Sequence, residues 1–196
     1  TWEYNTTQGI WTKRARLISA MSGPVGFSLK GKGFLIGGDH MRTGTQTDFA
    51  MYDPHTDTWI QKNPLPVYSE DGAAFVLNND AYHLVGSNTT KEFFKYSEQT
   101  DTWLRAPDFP GLPRRQAAYF SINGKGYIAC GVTFADGSSD TWEYNPSCPA
   151  NIENRLSVIY SVDTPFCYVA QIDTIKGDSV QYAQASYTWL QSTDGL

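Results

Sequence analysis

The pentapeptide Thr-Trp-Glu-Tyr-Asn occurs twice in the chain, at residues 1–5 and again, unchanged, at residues 141–145. Two altered copies lie between them: Asp-Phe-Ala-Met-Tyr-Asp-Pro at residues 48–54 and Glu-Phe-Phe-Lys-Tyr-Ser at residues 92–97. Each copy carries a tyrosine at the same place, and these four tyrosines are 44 to 48 residues apart. Self-similarity at a fixed spacing of this size indicates a chain built from repeated structural units.

Two further series keep step with the tyrosines. A tryptophan follows each of the first three copies, at positions 11, 59 and 103. A glycine-bounded stretch precedes each of the last three copies, at residues 31–38, 79–86 and 124–131. Three series in register establish the repeat, and the regular recurrence of the tryptophans predicts that they pack in the core between units.

Each unit is interpreted as four short strands, a to d. Strand a is small and apolar, strand b follows an Asn/Gly turn and ends at a glycine, strand c carries the tyrosine, and strand d carries the tryptophan. Six Trp, 12 Tyr and 10 Phe, interrupted by 17 Gly and 10 Pro, favour many short strands over helices. The predicted fold class is therefore all-β.

The repeat resembles the kelch family of β-propellers, and most closely its bacterial, galactose oxidase-like subgroup. The resemblance covers residues 1 to about 147 and is best at residues 48–59, 124–131 and 140–146. It implies about three and a half blades of four-stranded antiparallel sheet, which make an incomplete ring. No tryptophan strand was found directly after Tyr144. We therefore expect upstream kelch repeats of the same chain to close the ring and to supply that strand.

A domain boundary is predicted at residue 148, where the period fails. Residues 1–147 are expected to be propeller and residues 148–196 a short C-terminal β segment. Residues 174–180, followed by residues 187–190, resemble the opening strands of Ig-like or PKD-like modules. The alternative is an ordered decoration of the propeller. Cys148 and Cys167 can pair outside a reducing compartment, whereas Cys130 is expected to be a small buried core residue.

Composition and motifs exclude several function classes. With 15 basic and 20 acidic residues the chain lacks the dense basic surface that nucleic acid requires, and no stretch is apolar enough for a transmembrane helix. The three histidines, His40, His55 and His83, fall in different parts of the repeat, so neither a metal site nor a cofactor is predicted. No nucleophile, phosphate-loop or dinucleotide motif occurs, and no catalytic residue is assigned.

The candidate ligand-binding residues lie in the d–a and b–c loops, which emerge on one face of a propeller and vary between repeats. Arg114-Arg115 aligns with Glu70-Asp71 in the preceding repeat and with Met21-Ser22 in the one before. Such charges on adjacent blades form either a salt-bridged rim or a polar binding site, unless they are merely solvated. The candidate residues on this face are Asp39, His40, Arg42, Tyr68, Glu70, Asp71, Arg114, Arg115 and Asp136, with Thr133 and Phe134 beside them.

Two functions remain open from the sequence. The first is a non-catalytic interaction scaffold that binds a protein or a glycan through the loop face. The second is a kelch-fold enzyme acting on carbohydrate, similar to the sialic-acid mutarotases or to galactose oxidase; an intracellular kelch adaptor is a third, less favoured reading. The sequons at Asn5 and Asn88, and tripeptides around Thr174 and Ser179 that look like bacterial O-glycosylation sites, favour an extracellular or cell-surface location.

Overall fold

The computed structural model describes residues 1–39 and 47–146 in full, and residues 188–191 by their backbone. Four antiparallel sheets account for all of the regular structure in these ranges, and no helix occurs in them. None of these residues therefore belongs to a helix that could cross a bilayer. The predicted all-β class, with four-stranded sheets of the kind found in propeller blades, is confirmed.

The sheets follow one another along the chain. Sheet 1 is a hairpin of β1 (Trp2–Asn5) and β2 (Ile10–Lys13). Sheet 2 contains, in order, β3 (Val25–Leu29), β4 (Lys32–Ile36), β5 (Phe49–Asp53) and β6 (Thr58–Gln61). Sheet 3 contains β7 (Ala73–Leu77), β8 (Asp80–Leu84), β9 (Phe93–Ser97) and β10 (Thr102–Ala106). Sheet 4 contains β11 (Ala118–Ile122), β12 (Lys125–Ala129), β13 (Thr141–Asn145) and β14 (Thr188–Gln191).

The sheets pack face to face through their first strands, with β3 against β7 and β7 against β11. Because side chains alternate along a strand, sheets 2, 3 and 4 present aromatic side chains to one another across these faces. Between sheets 2 and 3, Phe49 meets Tyr96 edge-on at 4.7 Å between ring centroids. Between sheets 3 and 4, Phe93 meets Tyr144 in the same way at 5.1 Å. The repeated tyrosine therefore fills the space between blades, and each such ring pair adds roughly 0.5–1.5 kcal/mol beyond its buried area.

A second repeated contact links each tyrosine to the turn between its own third and fourth strands. The Tyr52 hydroxyl donates to Asp57 Oδ1 at 2.7 Å, and the Tyr96 hydroxyl donates to Asp101 Oδ1 at the same distance. Both aspartates have a positive φ, near 52°, and Gly9 with φ 68° takes the equivalent place in sheet 1. The Asp-Thr-Trp turn thus needs a residue that tolerates the left-handed conformation.

These aspartates also join neighbouring sheets. Asp57 Oδ1 accepts a hydrogen bond from the backbone N–H of Ala15, which follows sheet 1, at 2.9 Å. Asp101 binds Lys62, which follows sheet 2, with 3.2 Å between Nζ and Oδ2. One side chain therefore fixes the turn of its own blade and the exit of the preceding one.

The fourth strand of sheet 4 differs from the expectation. It comes from residues 188–191 of this chain, with Tyr144 opposite Trp189 in the register that pairs Tyr52 with Trp59 and Tyr96 with Trp103. The hypothesis that upstream repeats supply this strand is thus not needed. Apart from residues 188–191, the module predicted from residue 148 lies outside the described residues, as do the cysteines at 148 and 167, so the domain division stays a prediction.

Cys130 also differs from the expectation, since it is exposed and has a free thiol. Its φ of 59° lies in the left-handed region, as does the φ of 67° at Gly37, which takes the equivalent place in sheet 2. The backbone bends at this position just after strand b, and the bend turns the cysteine outward instead of into the core.

Candidate functional site

The loops that join strand d to strand a, and strand b to strand c, emerge together at one end of the sheets. Backbone hydrogen bonds hold the d–a loops of neighbouring sheets in step. The N–H of Asp71 donates to the carbonyl of Gly23 at 2.9 Å, and the N–H of Gln116 donates to the carbonyl of Asp71 at 2.8 Å. We call Gly23, Asp71 and Gln116 the inner ladder; all three have a positive φ between 53° and 63°.

The alignment of Arg114-Arg115 with Glu70-Asp71 that was predicted from the sequence is wrong by one residue, as the inner ladder shows. Because Gly23, Asp71 and Gln116 are equivalent, Arg115 corresponds to Glu70 and not to Asp71. The register of the first strands fixes this, since β7 begins two residues after Asp71 and β11 two residues after Gln116. Asp71 is therefore a linking residue, and its side chain accepts a hydrogen bond from Gln116 Nε2 at 2.9 Å.

Four of the predicted residues come together next to the inner ladder, and we call Asp39, Tyr68, Glu70 and Arg115 the rim cluster. The Tyr68 hydroxyl donates to Glu70 Oε2 at 2.9 Å, while the Tyr68 ring is 49% exposed. Partial burial raises the pKa of Tyr68, and its hydrogen bond to Glu70 and the charges of Glu70 and Asp39 raise it further, against the opposing charge of Arg115. The charges of Glu70, Asp39 and Arg115 thus all act on the Tyr68 hydroxyl.

Arg115 has a donor that no described residue satisfies. Its backbone is held by two hydrogen bonds with Val132, at 2.9 and 2.8 Å, so the side chain starts from a fixed point on the rim. Its Nε is buried, yet within residues 1–39 and 47–146 it finds no hydrogen-bond partner. A buried guanidinium donor without an acceptor is costly, and Arg115 as a whole is only half-buried, so an acceptor brought by a ligand would be favoured here.

Arg114 has a different environment from its neighbour and does not belong to the rim cluster. It is only 2% exposed. Its guanidinium makes a two-pronged ion pair with Asp140, with 2.9 Å between Nη2 and Oδ2, and donates to the Cys130 carbonyl at 2.8 Å. Its flat face also lies 4.9 Å from the centre of the Phe109 ring. Arg114 is therefore held in a structural ion pair, and its role in ligand binding stays a prediction.

Asp140 completes this buried arrangement. Burial alone would raise the pKa of Asp140, but hydrogen bonds from Arg114, Ser138 and Trp142 outweigh it and lower the pKa to about 2. The carboxylate is thus held ionised against the guanidinium, as a bidentate pair requires. Sequence reasoning missed Asp140 because its partner lies 26 residues earlier in another loop.

Asp136 belongs to a local turn of the b–c loop of sheet 4. Its backbone N–H donates to Thr133 Oγ1 at 3.2 Å, and its carboxylate accepts the N–H of Gly137 at 2.7 Å. The turn holds Phe134 out into solvent, with 87% of its surface exposed. No described contact joins Asp136 to the rim cluster. His40 and Arg42, the remaining predicted residues, lie outside the described residues.

A buried pair that the sequence did not reveal lies beneath Glu70. Ser69 Oγ and His83 Nε2 are 2.9 Å apart, and Ser69 Oγ also accepts the N–H of Gly86 at 3.0 Å. Burial lowers the pKa of His83 to about 3, although a hydrogen bond with the backbone of Ala73 acts against this shift. The imidazole is therefore neutral. Both side chains are almost fully buried, so a substrate cannot reach the serine oxygen.

The described part of the chain contains no cluster of side chains that could bind a metal ion. Within those residues, no three side chains of His, Cys, Asp or Glu converge as a metal site would need. His55 is exposed in a c–d turn at the opposite end of the sheets, whereas His83 is in strand b. The arrangement at the rim is instead one of hydrogen-bond donors and acceptors beside an exposed aromatic ring.

Comparison with known proteins supports the fold only. No protein-family model matches the chain, and no curated protein matches its sequence. Among solved structures, one described as the structure of YjhT is similar, with a TM-score of 0.62 and 16% sequence identity. The match covers 69% of this chain and 52% of that one, so the chain spans about half the length of this relative. At this sequence identity, the similarity shows a shared arrangement of sheets and gives no information about the binding site.

Proposed function

We propose that this chain is part of a kelch-type propeller that acts as a non-catalytic binding scaffold, secreted or on the cell surface, and that it binds a glycan through the rim cluster. The observation that carries the proposal is the buried, unsatisfied Nε of Arg115 beside the exposed ring of Tyr68. Upstream repeats of the same chain would complete the ring around this face.

The chemistry of the rim cluster suits a sugar. A sugar ring has an apolar face, which can stack on the half-exposed ring of Tyr68. Its hydroxyl groups can donate to the carboxylates of Glu70 and Asp39, and its oxygens can accept from Arg115. Sites for small polar ligands typically combine an aromatic surface with a few polar groups that point toward the ligand. A protein partner is the other class of ligand for this face, and the test below distinguishes it.

An enzyme on the same fold has less support in the described residues. Ser69 and His83 are near enough to interact, but both are almost fully buried, so a substrate cannot reach them. The carboxylates of the rim cluster already interact with Tyr68. Measured turnover of a sugar by the full chain would contradict the non-catalytic part of the proposal.

The proposal is tested with the full chain on a glycan array, together with three variants. Arg115→Ala and Tyr68→Ala should each weaken binding to the glycans retained by the wild type, by roughly tenfold or more for the charged donor. Arg14→Ala is the matched control, because Arg14 is also a surface arginine but pairs with Glu3 on sheet 1. Equal retention by all four proteins would contradict the assignment, and a wild type that retains no glycan on the array would favour a protein partner instead.

A further inference from the structure

In the part of the chain that the structure describes, three pairs place Asp or Asn directly before a glycine: Asp71-Gly72, Asn123-Gly124 and Asp136-Gly137. In such a pair the main-chain nitrogen of the glycine can attack the side-chain carbon Cγ of the preceding residue, because glycine has no Cβ to obstruct the approach. The product is a five-membered succinimide ring. The fold decides which pair reacts, since the nitrogen must first lie against Cγ.

The pair Asp136-Gly137 already has this arrangement. The Gly137 N–H donates to Asp136 Oδ1 at 2.7 Å, so the attacking nitrogen lies against the carboxyl group whose carbon it must reach. Reacting groups that are held in contact lose little further entropy on the way to the transition state. Both residues are exposed, and a methyl group placed on Gly137 would meet no atom within 4 Å. The ring therefore has room to form, and water has access to it.

The pair Asp71-Gly72 is held away from the same reaction. Asp71 Oδ2 accepts a hydrogen bond from Gln116 Nε2 at 2.9 Å, which ties the carboxylate to the neighbouring loop. Gly72 is buried, and a methyl group placed on it would come within 2.6 Å of the Leu84 carbonyl oxygen. Ring formation changes the main-chain angles on both sides of the peptide bond, and this packing prevents the change. The pair reacts only when the loop opens.

The pair Asn123-Gly124 forms the two-residue turn between β11 and β12. Both residues have a positive φ, of 51° and 76°, as this type of hairpin turn requires. The pairing of Ile122 with Lys125 on either side fixes that conformation. The amide of Asn123 is therefore held in a turn that must open before the ring can close.

We propose that Asp136 and Gly137 form a succinimide in the folded chain, and that this ring opens to isoaspartate. The Gly137 nitrogen forms a bond to Cγ of the protonated Asp136 carboxyl group, and the hydroxyl group of that carboxyl leaves as water with the proton of the nitrogen. A water molecule then adds to one of the two ring carbonyls, and the bond from that carbon to nitrogen breaks. Cleavage at Cγ restores aspartate. Cleavage at the original main-chain carbonyl gives isoaspartate, in which the chain runs through Cβ and Cγ.

The modification changes the loop that supports the rim cluster. The Asp136 carbonyl accepts the Thr133 N–H at 2.9 Å and the Thr133 hydroxyl at 2.6 Å, and in isoaspartate this carbonyl leaves the main chain as a free carboxylate. Gly137 forms a β-bridge with Val132, which holds the backbone of Arg115 through two hydrogen bonds. Because the chain between Val132 and Gly137 gains one carbon, the bridge loosens and Arg115 loses its fixed point.

The test compares the folded full chain with the same chain unfolded in guanidinium chloride, both kept in H₂¹⁸O at mildly acid pH. Each opening of the ring inserts one oxygen-18 atom at residue 136, which mass spectrometry of the peptides detects. An isoaspartate-specific methyltransferase reports the isomer. Residue 136 should be labelled at least as fast in the folded chain as in the unfolded one. Labelling at Asp71 and Asn123 should be roughly tenfold or more slower in the folded chain, because it waits for local opening.

Two variants separate ring formation from other changes in the loop. Asp136→Glu keeps the carboxylate but would need a six-membered ring, so it should give neither label nor isoaspartate at this position. Gly137→Val hinders the nitrogen and should slow labelling roughly tenfold or more, while the open space around Gly137 leaves the fold unchanged. Far-UV circular dichroism checks that both variants are folded.

A second measurement follows the consequence for the rim. In the isomerised chain, hydrogen exchange at the Val132 and Arg115 amides should become faster, and Asp136→Glu kept under the same conditions should show no change. Slower labelling of residue 136 in the folded chain than in the unfolded chain would overturn the proposal. So would isoaspartate at Asp71 or Asn123 of the folded chain without isoaspartate at Asp136. Unchanged exchange at Arg115 after isomerisation would overturn the loosening of the rim.

Discussion

Tyr144 and Trp189 are cross-strand partners although 44 residues lie between them in the chain. In sheets 2 and 3 the equivalent partners, Tyr52 with Trp59 and Tyr96 with Trp103, are joined by a short turn. The last strand of sheet 4 is therefore distant in sequence from the strand it pairs with, and Thr-Trp-Leu at residues 188–190 repeats Thr-Trp-Leu at residues 102–104.

This pairing predicts that residues 188–191 stabilise the propeller. A chain that ends at residue 187 should unfold at a Tm lower by roughly 4 °C or more than a chain that ends at residue 191, because β13 loses the strand on its outer edge. Thermal unfolding followed by far-UV circular dichroism measures the difference. Identical Tm values for the two truncated chains would show that β14 contributes nothing to the blade.

Substitution of Arg114 should mainly lower the stability of the fold, whereas substitution of its neighbour Arg115 should mainly weaken ligand binding. Arg114→Met leaves the partly buried Asp140 carboxylate without its guanidinium and should lower the free energy of unfolding by roughly 1–3 kcal/mol. Arg115→Ala removes no ion pair with a described residue and should change the free energy of unfolding by less than about 0.5 kcal/mol while it weakens ligand binding. Urea titration of both variants measures this, and a similar loss of stability in each would contradict the separation of roles.

The turn aspartates should stabilise the junctions between sheets. Asp101→Asn keeps a residue that tolerates the left-handed φ of 53° but removes the charge bound by Tyr96 and Lys62. The expected cost is about 1–3 kcal/mol. Asp108→Asn serves as the control, since its partner Arg105 is at the surface and such pairs contribute about 0–1 kcal/mol. If the control variant loses as much stability as Asp101→Asn in urea titrations, the junction has no special role.

Stability should fall on mild acidification because of His83. Its pKa is about 3 in the folded chain and 6.5 when exposed, so between these values the unfolded chain binds a proton that the folded chain does not. This contribution is complete above pH 6.5 and is lost as the pH falls toward 3, by up to ~1.4 kcal/mol per pH unit. Asp140, with a pKa of about 2 against its ordinary 3.8, adds a further loss below pH 3.8.

The comparison that isolates His83 is urea unfolding of the wild type and of His83→Gln at pH 7.5 and pH 5. The wild type should lose clearly more stability between the two pH values than the variant does. His55→Gln is the control, because His55 is exposed in a turn. Equal pH slopes in the wild type and His83→Gln would mean that another group is responsible.

The sequence predicts the repeat well because its anchors are large and periodic. Tyr52, Tyr96 and Tyr144 and the glycine-bounded b strands mark equivalent places, and their spacing survives substitutions elsewhere. The last strand was missed because the period fails after Tyr144, although the residues around Trp189 match the d strand. The one-residue error at Glu70 arose because loop residues have no periodicity, and only the hydrogen bonds of the inner ladder set their register.

The site is less predictable than the fold. Nothing in the sequence distinguishes Arg114 from Arg115, since their difference depends on which way each side chain leaves the loop and on Asp140 in a separate loop. The contact of Ser69 with His83 likewise joins a loop to a strand. By contrast, Tyr68, Glu70 and Asp39 were predicted to share one face, and the charges of Glu70, Asp39 and Arg115 all act on the Tyr68 hydroxyl.

The most direct test of the binding proposal is the ¹H–¹⁵N resonance of the Arg115 Nε–H group in the full chain. On addition of a glycan retained on the array, this signal should shift, because the buried donor gains an acceptor. The Arg114 Nε–H signal should stay unchanged, because that group already donates to the Leu112 carbonyl at 3.2 Å. A saturating glycan that leaves Arg115 unchanged, or that perturbs the turns at Asp57 and Asp101 instead, would contradict the account.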